Sequence, residues 1–125
     1  MSVKHYKELI VWQKSIDLVI MVYKIVKLLP KEELYSLSDQ MRRAVISIPS
    51  NIAEGQQRNT TKDFLRFLSI AKGSLGELET QLIICEKLGY LTTEQTQPIV
   101  AQCTEISKML NALISKIQNQ VTQNQ

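Results

Sequence analysis

The side chains best placed to do chemistry in this sequence are cations. Lys24, Lys27 and Lys31 recur at three- and four-residue intervals along one face late in the first predicted helix, and Arg42 and Arg43 follow early in the second. Within residues 1–31, Lys4, Lys7, Lys14, Lys24, Lys27 and Lys31 stand against only Glu8 and Asp17, whereas the remainder is nearly balanced; the formal net charge is +3. Lysines spread along a helix reach phosphates but carry no base-reading geometry. The chemistry they offer is salt-dependent attachment to RNA or DNA, indifferent to sequence. The plainer alternative is a solvated lysine face.

A second constellation is polar. Arg43, Ser47, Ser50 and Glu54 recur at helical spacing beside an apolar seam, with Asn51 adjacent, and Arg66, Gly73 and Glu77 form a stripe on the next predicted helix. In a hairpin turning near Thr60, Arg43 falls level with Glu77, Glu54 with Arg66, and Ser47 with Gly73. Two opposed ion pairs around a small-residue contact would fix register, inside one chain or between chains. The competing reading leaves these charges solvated.

Catalysis finds little support. The only histidine, His5, falls in a segment expected to fray, and no Glu-x-x-His pair offers a metal site inside a helical bundle. Ser47, Ser50 and Ser74 have no visible base, and a glycine loop that could cradle phosphate is missing. Cys85 and Cys103 match no metal-ligand spacing and read as small core hydrophobes, reduced in the cytosol. The expectation is a protein that is not an enzyme and needs no cofactor.

The elements that must position these residues are helices. With four glycines and three prolines in 125 residues, the chain lacks the punctuation of a sandwich or barrel, and its 44% apolar and 22% charged residues suit one globular domain spanning 1–125. The longest uncharged stretch in the most apolar region, Leu18 to Tyr23, falls far short of the roughly 20 residues that cross a bilayer. The N-terminus shows no secretory pattern, so a cytoplasmic location is expected.

Helix one carries two apolar sets. Leu9, Trp12, Ile16, Val19, Tyr23 and Val26 form one seam, ending at Pro30; Val11, Leu18, Val22, Ile25 and Leu29 lie on a neighbouring face. One seam suffices for the core of a bundle, so Val11, Leu18, Val22 and Ile25 are expected to face another subunit. Leu34, Leu37, Met41, Ala44, Ile48 and Ile52 give helix two its seam, with a kink or break expected near Val45 to Pro49 and a stop at Gly55. Thr60 and Asp63 cap helix three, whose seam runs Phe64, Leu68, Ala71, Leu75, Leu78, Leu82 and Cys85 to Gly89. Thr92 and Gln95 cap helix four, which carries Ile99, Cys103, Ile106, Leu110, Leu113 and Ile117 before a polar tail, 118–125, expected to fray. Short connections between helices of roughly 22 to 28 residues force antiparallel neighbours.

Several strings are more specific than this pattern: Val11-Trp12-Gln13, Leu37-Ser38-Asp39-Gln40-Met41-Arg42-Arg43-Ala44, Ser47-Ile48-Pro49-Ser50-Asn51-Ile52-Ala53-Glu54-Gly55, and, in helix three, Arg66-Phe67-Leu68, Ala71-Lys72-Gly73-Ser74-Leu75 and Glu77-Leu78-Glu79. Together they resemble the four-helix-bundle proteins encoded in intervening sequences of 23S ribosomal RNA genes. The resemblance implies an all-α, up-down-up-down bundle that assembles into a ring-shaped homopentamer. It also implies similarity to the accessory protein of diversity-generating retroelements, which associates with nucleic acid and a reverse transcriptase. No enzymatic activity is established for the family. A ring would repeat each basic patch by symmetry and strengthen a weak phosphate contact through effective concentration. Two functions follow as expectations: a ring-forming protein that contacts RNA or DNA through phosphates, or a scaffold that docks a protein partner and touches no nucleic acid.

Overall fold

A computed structural model describes residues 5–123. Lys4 of the basic segment and Asn124 and Gln125 of the polar tail lie outside them. Among the described residues there are no strands and four α-helices: α1 (Ile10–Ile25), α2 (Leu37–Gln56), α3 (Thr61–Lys87) and α4 (Thr93–Gln123). Short 3-10 turns at Tyr6–Glu8, Val26–Leu28 and Lys31–Glu33 lead into and out of α1. The helices enclose one core, with α1 and α3 each packed on α2 and α4. Lys14 on α1 pairs with Glu105 on α4 at 3.1 Å, and the Lys14 carbonyl accepts from Gln102 Nε2 at 3.1 Å.

Helix α1 buries the face that was expected to lie between subunits. Val11, Leu18, Val22 and Ile25 are all buried within the single chain, and Ser15 completes their stripe. Its hydroxyl donates to the Val11 carbonyl at 2.7 Å, which satisfies the one polar group on that face. Each large apolar side chain so buried contributes about 1.5–3 kcal/mol, and these four residues are therefore spent on the fold rather than on assembly. Of the other seam, Val26 is buried, Leu9, Trp12 and Val19 are half-buried against the core, and Ile16 and Tyr23 are exposed.

Pro49 does not break α2, which runs unbroken from Leu37 to Gln56 with Pro49 buried inside it. Leu34 falls before the helix and is exposed, whereas Met41, Ala44, Val45, Ile48 and Ile52 enter the core. Gly55 does not stop the helix either. It is buried one residue inside the end, where a Cβ would stand 2.7 Å from Phe67 Cβ and 3.0 Å from Phe64 Cδ1. Its role is close approach between α2 and α3.

The expected starts of the last two helices are present. Thr60 Oγ1 accepts from the Asp63 amide at 3.1 Å, and Thr92 and Gln95 exchange bonds at 2.9 and 3.2 Å in a reciprocal capping box. The whole Phe64-to-Cys85 seam is buried. Past the end of α3, Gly89 takes φ +79°, the left-handed conformation of a helix stop. Ile99, Cys103, Ile106, Leu110 and Ile117 of α4 are buried. The helix continues to Gln123 instead of fraying from Gln118, because Ile117 is fully buried at the boundary and glutamine is a good helix former.

Candidate functional site

The connection from α1 to α2 creates a cleft. Tyr23, Val26 and Lys27 precede Pro30, Lys31 and Leu34 follow it, and Ser38 and Arg42 reach it from the first turns of α2. The cleft holds about 390 Å³, and Val26 and Leu29 at its base belong to the core. Three cations therefore converge on an apolar-floored depression. Arg42 is fixed there by a bond from Nη2 to the Leu34 carbonyl at 3.2 Å. Ser38 is only 3% exposed, and its hydroxyl has no hydrogen-bond partner among the described residues.

Of the five expected cationic residues, Lys27, Lys31 and Arg42 meet in this cleft; the other two do not. Lys24 lines a separate depression of about 350 Å³ with Leu28, Gln95 and Pro98, between α1 and α4. Lys31 lies beyond α1 in its own turn, so the three lysines do not share one helix face. Arg43 is engaged by Asp39 at 3.1 Å, one helical turn away. Sequence reasoning missed Tyr23, Leu34 and Ser38. Pro30 was the available signal, since a chain turned at that point brings Lys31 back beside Lys27.

Glu33 secures the turn that carries Lys31. Its carboxylate accepts from the Ser36 hydroxyl at 2.6 Å and from the Tyr90 hydroxyl at 2.8 Å. These bonds, Ser36 first and Tyr90 second, hold its pKa below the ordinary carboxylate value, and the Tyr90 hydroxyl is pushed up mainly by the same bond.

The polar stripe assembles differently from its expected register. Arg43 pairs with Asp39 rather than Glu77, and Glu54 with Arg58 rather than Arg66. Arg66 and Arg58 instead lie 5.3 and 4.9 Å from the Phe67 ring centre, while Glu77 accepts from Gln81 at 3.4 Å. Partners one turn away on the same helix need less side-chain ordering than partners across a groove. Ser47 meets Ser74, not Gly73, a shift of one residue. Ser74 Oγ donates to Ser47 Oγ at 2.8 Å, and Asn51 Nδ2 donates to the Ser47 hydroxyl and carbonyl at 2.8 and 2.7 Å. Gly73 is exposed.

A groove between α1 and α2, about 330 Å³, is lined by Trp12, Ile16, Val19, Ile46, Pro49 and Ser50, among others. Ile16 and Ile46 are 37% and 41% exposed. This surface carries part of the apolar excess of α1.

His5, Cys85 and Cys103 do not line the cleft. Exposed His5 accepts from the Lys7 amide at 3.3 Å through Nδ1. Burial, the largest cause in each case, pushes the Cys85 and Cys103 thiols up to about 11 and about 12, so both stay protonated at neutral pH. Cys85 Sγ lies 3.7 Å from Met41 Sδ. Among the described residues no cluster of His, Cys, Asp or Glu could hold a metal ion, and no helix is long and apolar enough to cross a membrane.

Four helices around one core, with a basic cleft and an apolar groove on the surface, define a small all-α protein. The chain belongs to the 23S rRNA-intervening sequence protein family, which matches it over residues 7–112. It is also similar to a protein with unknown function from the S23 ribosomal protein family of Bacteroides thetaiotaomicron, known from a crystal structure. The two share 31% identity over 84% of this chain and 98% of the other, with a TM-score of 0.78. No curated protein matches the chain.

Proposed function

We propose that this chain is a non-enzymatic, cytoplasmic assembly protein that closes into a homopentameric ring and contacts RNA or DNA through phosphates, without reading sequence. The observation that carries the nucleic-acid part is the convergence of Lys27, Lys31 and Arg42 on one cleft. Three cations at one place neutralise phosphates more effectively than the same charges dispersed, and a ring would repeat the cleft around its axis. The order of contacts along α2 and α3, from Gly55 at Phe67 through Ser47 at Ser74 to Met41 at Cys85, supports an antiparallel, up-down-up-down arrangement. The Trp12–Ile16–Ile46 groove supports self-assembly, since a ring needs a surface on each copy that meets a different surface on the next.

Binding of 23S ribosomal RNA fragments across a salt series tests this reading. The logarithm of affinity should fall linearly with the logarithm of salt, by roughly 0.7–0.9 per phosphate neutralised. Absence of binding at low salt favours the second reading, a scaffold for a protein partner. Exposed Ile83, Ile84 and Leu88 near the end of α3 supply an apolar patch for it.

A further inference from the structure

We infer that the cleft formed by Tyr23, Lys27, Lys31, Leu34, Ser38 and Arg42 accepts an unpaired nucleotide, so that the protein selects single-stranded over duplex nucleic acid. The inference rests on the proposed phosphate contact and adds what surrounds it.

The polar part of the cleft is built for a phosphate. Lys27, Lys31 and Arg42 supply charge, and Arg42 is held in place by the Leu34 carbonyl. Ser38 supplies a hydroxyl, on a nearly fully buried residue, that no group among the described residues engages. That hydroxyl lines the cleft and is free to donate to a phosphate oxygen. Ser38 is also the second residue of a twenty-residue helix, so the positive end of the α2 dipole opens at the same place. Of the acids that flank it in sequence, Glu33 is engaged by Ser36 and Tyr90 and Asp39 by Arg43, while exposed Glu32 forms no ion pair among the described residues and does not line the cleft.

The rest of the cleft is unsuited to phosphate and suited to a base. Its walls include Tyr23, Pro30 and Leu34 over a floor of Val26 and Leu29, and its volume of about 390 Å³ lies in the range of small-molecule sites. On the turn between Leu34 and Ser38, Tyr35 is 91% exposed, which leaves an aromatic ring free at the start of α2. A duplex keeps its bases stacked inside and shows a protein mainly phosphates and groove edges. Only an unpaired nucleotide can place its base against Tyr23 or Tyr35 while its phosphate meets the cations.

Fluorescence anisotropy with labelled oligouridine RNA and with an RNA duplex of the same length, at one low salt concentration, tests this. The native protein should bind the single strand about tenfold more tightly, the effect expected of one stacked base. Tyr35→Ser, at an exposed position, and Tyr23→Leu, which keeps apolar packing, should each weaken single-strand binding several-fold. Duplex affinity and the circular dichroism melt of Tyr35→Ser should not change. Equal affinity of the native protein for both RNAs, or tyrosine variants that bind the single strand as well as the native protein does, overturns the inference and leaves the phosphate contact standing. Failure of the native protein to bind either RNA removes both.

Discussion

Gly55 of α2 lies so close to Phe67 of α3 that a methyl group on it would stand 2.7 Å from Phe67 Cβ and 3.3 Å from the Phe64 carbonyl. Neither atom is the free end of a flexible side chain, so an added Cβ must part the two helices. Overpacking of this kind costs about 1–3 kcal/mol, against about 1 kcal/mol gained by replacing a helical glycine with alanine. Gly55→Ala should therefore lower stability by up to about 2 kcal/mol. Gly76, inside α3 with nothing within 4 Å of its Cβ position, is the control. Gly76→Ala should raise stability by up to about 1 kcal/mol in the same urea titration. Equal responses would show that Gly55 is not a packing residue.

The hydroxyl contact between Ser47 and Ser74 ties the same two helices at mid-length. A double-mutant cycle with alanine at both positions should give coupling of about 0.5–1.5 kcal/mol, the range for a hydrogen bond in contact residues. The same cycle on Arg43 and Glu77 should be additive within about 0.5 kcal/mol, because Arg43 turns to Asp39.

The Glu33–Tyr90 bond makes stability depend on pH. Glu33 has a lower pKa folded than unfolded, so its contribution is present above the ordinary value of 4.5 and is lost as pH falls through the lower folded value. Tyr90, whose pKa is raised, contributes below its ordinary value of 10.0, and that contribution is lost as pH rises through the folded one. Melting temperature followed from neutral to acid pH should fall more steeply for the native protein than for Tyr90→Phe, since the variant has already lost one of the bonds that lower the Glu33 pKa. Parallel curves would mean that the bond does not form in solution.

Much of the fold was legible because its signals are local. The capping pairs Thr60–Asp63 and Thr92–Gln95 and the seams of α3 and α4 depend on spacing alone, and all are present. The two faces of α1 were exchanged because both keep helical spacing, and the face that enters the core carries a polar residue, Ser15, in the middle of its stripe. Gly55 misled in a similar way, since a glycine near a helix end signals a stop unless a neighbouring helix crosses it. The cleft was half legible. Its cations were visible as charge, but Tyr23 and Ser38 join them only through the turn at Pro30, and charge spacing could not separate Lys24 and Arg43 from the other three.

The apolar groove on α1 and α2 should control assembly. Ile46→Lys places a charge on an exposed position and should leave the fold intact while reducing the oligomer, measured by light scattering coupled to size exclusion, toward the 14.3 kDa of a single chain. Val22→Ala, inside the core, should instead lower stability by about 1–2 kcal/mol without changing the mass of the folded species. A native protein that runs at 14.3 kDa at micromolar concentration contradicts the ring.

A comparison of two charge-matched variants tests most directly whether the three cations act together in one cleft. Lys27→Gln/Lys31→Gln/Arg42→Gln empties the cleft of charge, whereas Lys24→Gln/Lys72→Gln/Arg43→Gln removes the same charge from exposed positions outside it. Their affinities for ribosomal RNA fragments should be measured across a salt series, beside the native protein. The first variant should bind more weakly and flatten the salt slope by roughly 2, and the second should stay close to the native protein. Equal losses in the two variants would show that net charge, and not the cleft, holds the nucleic acid.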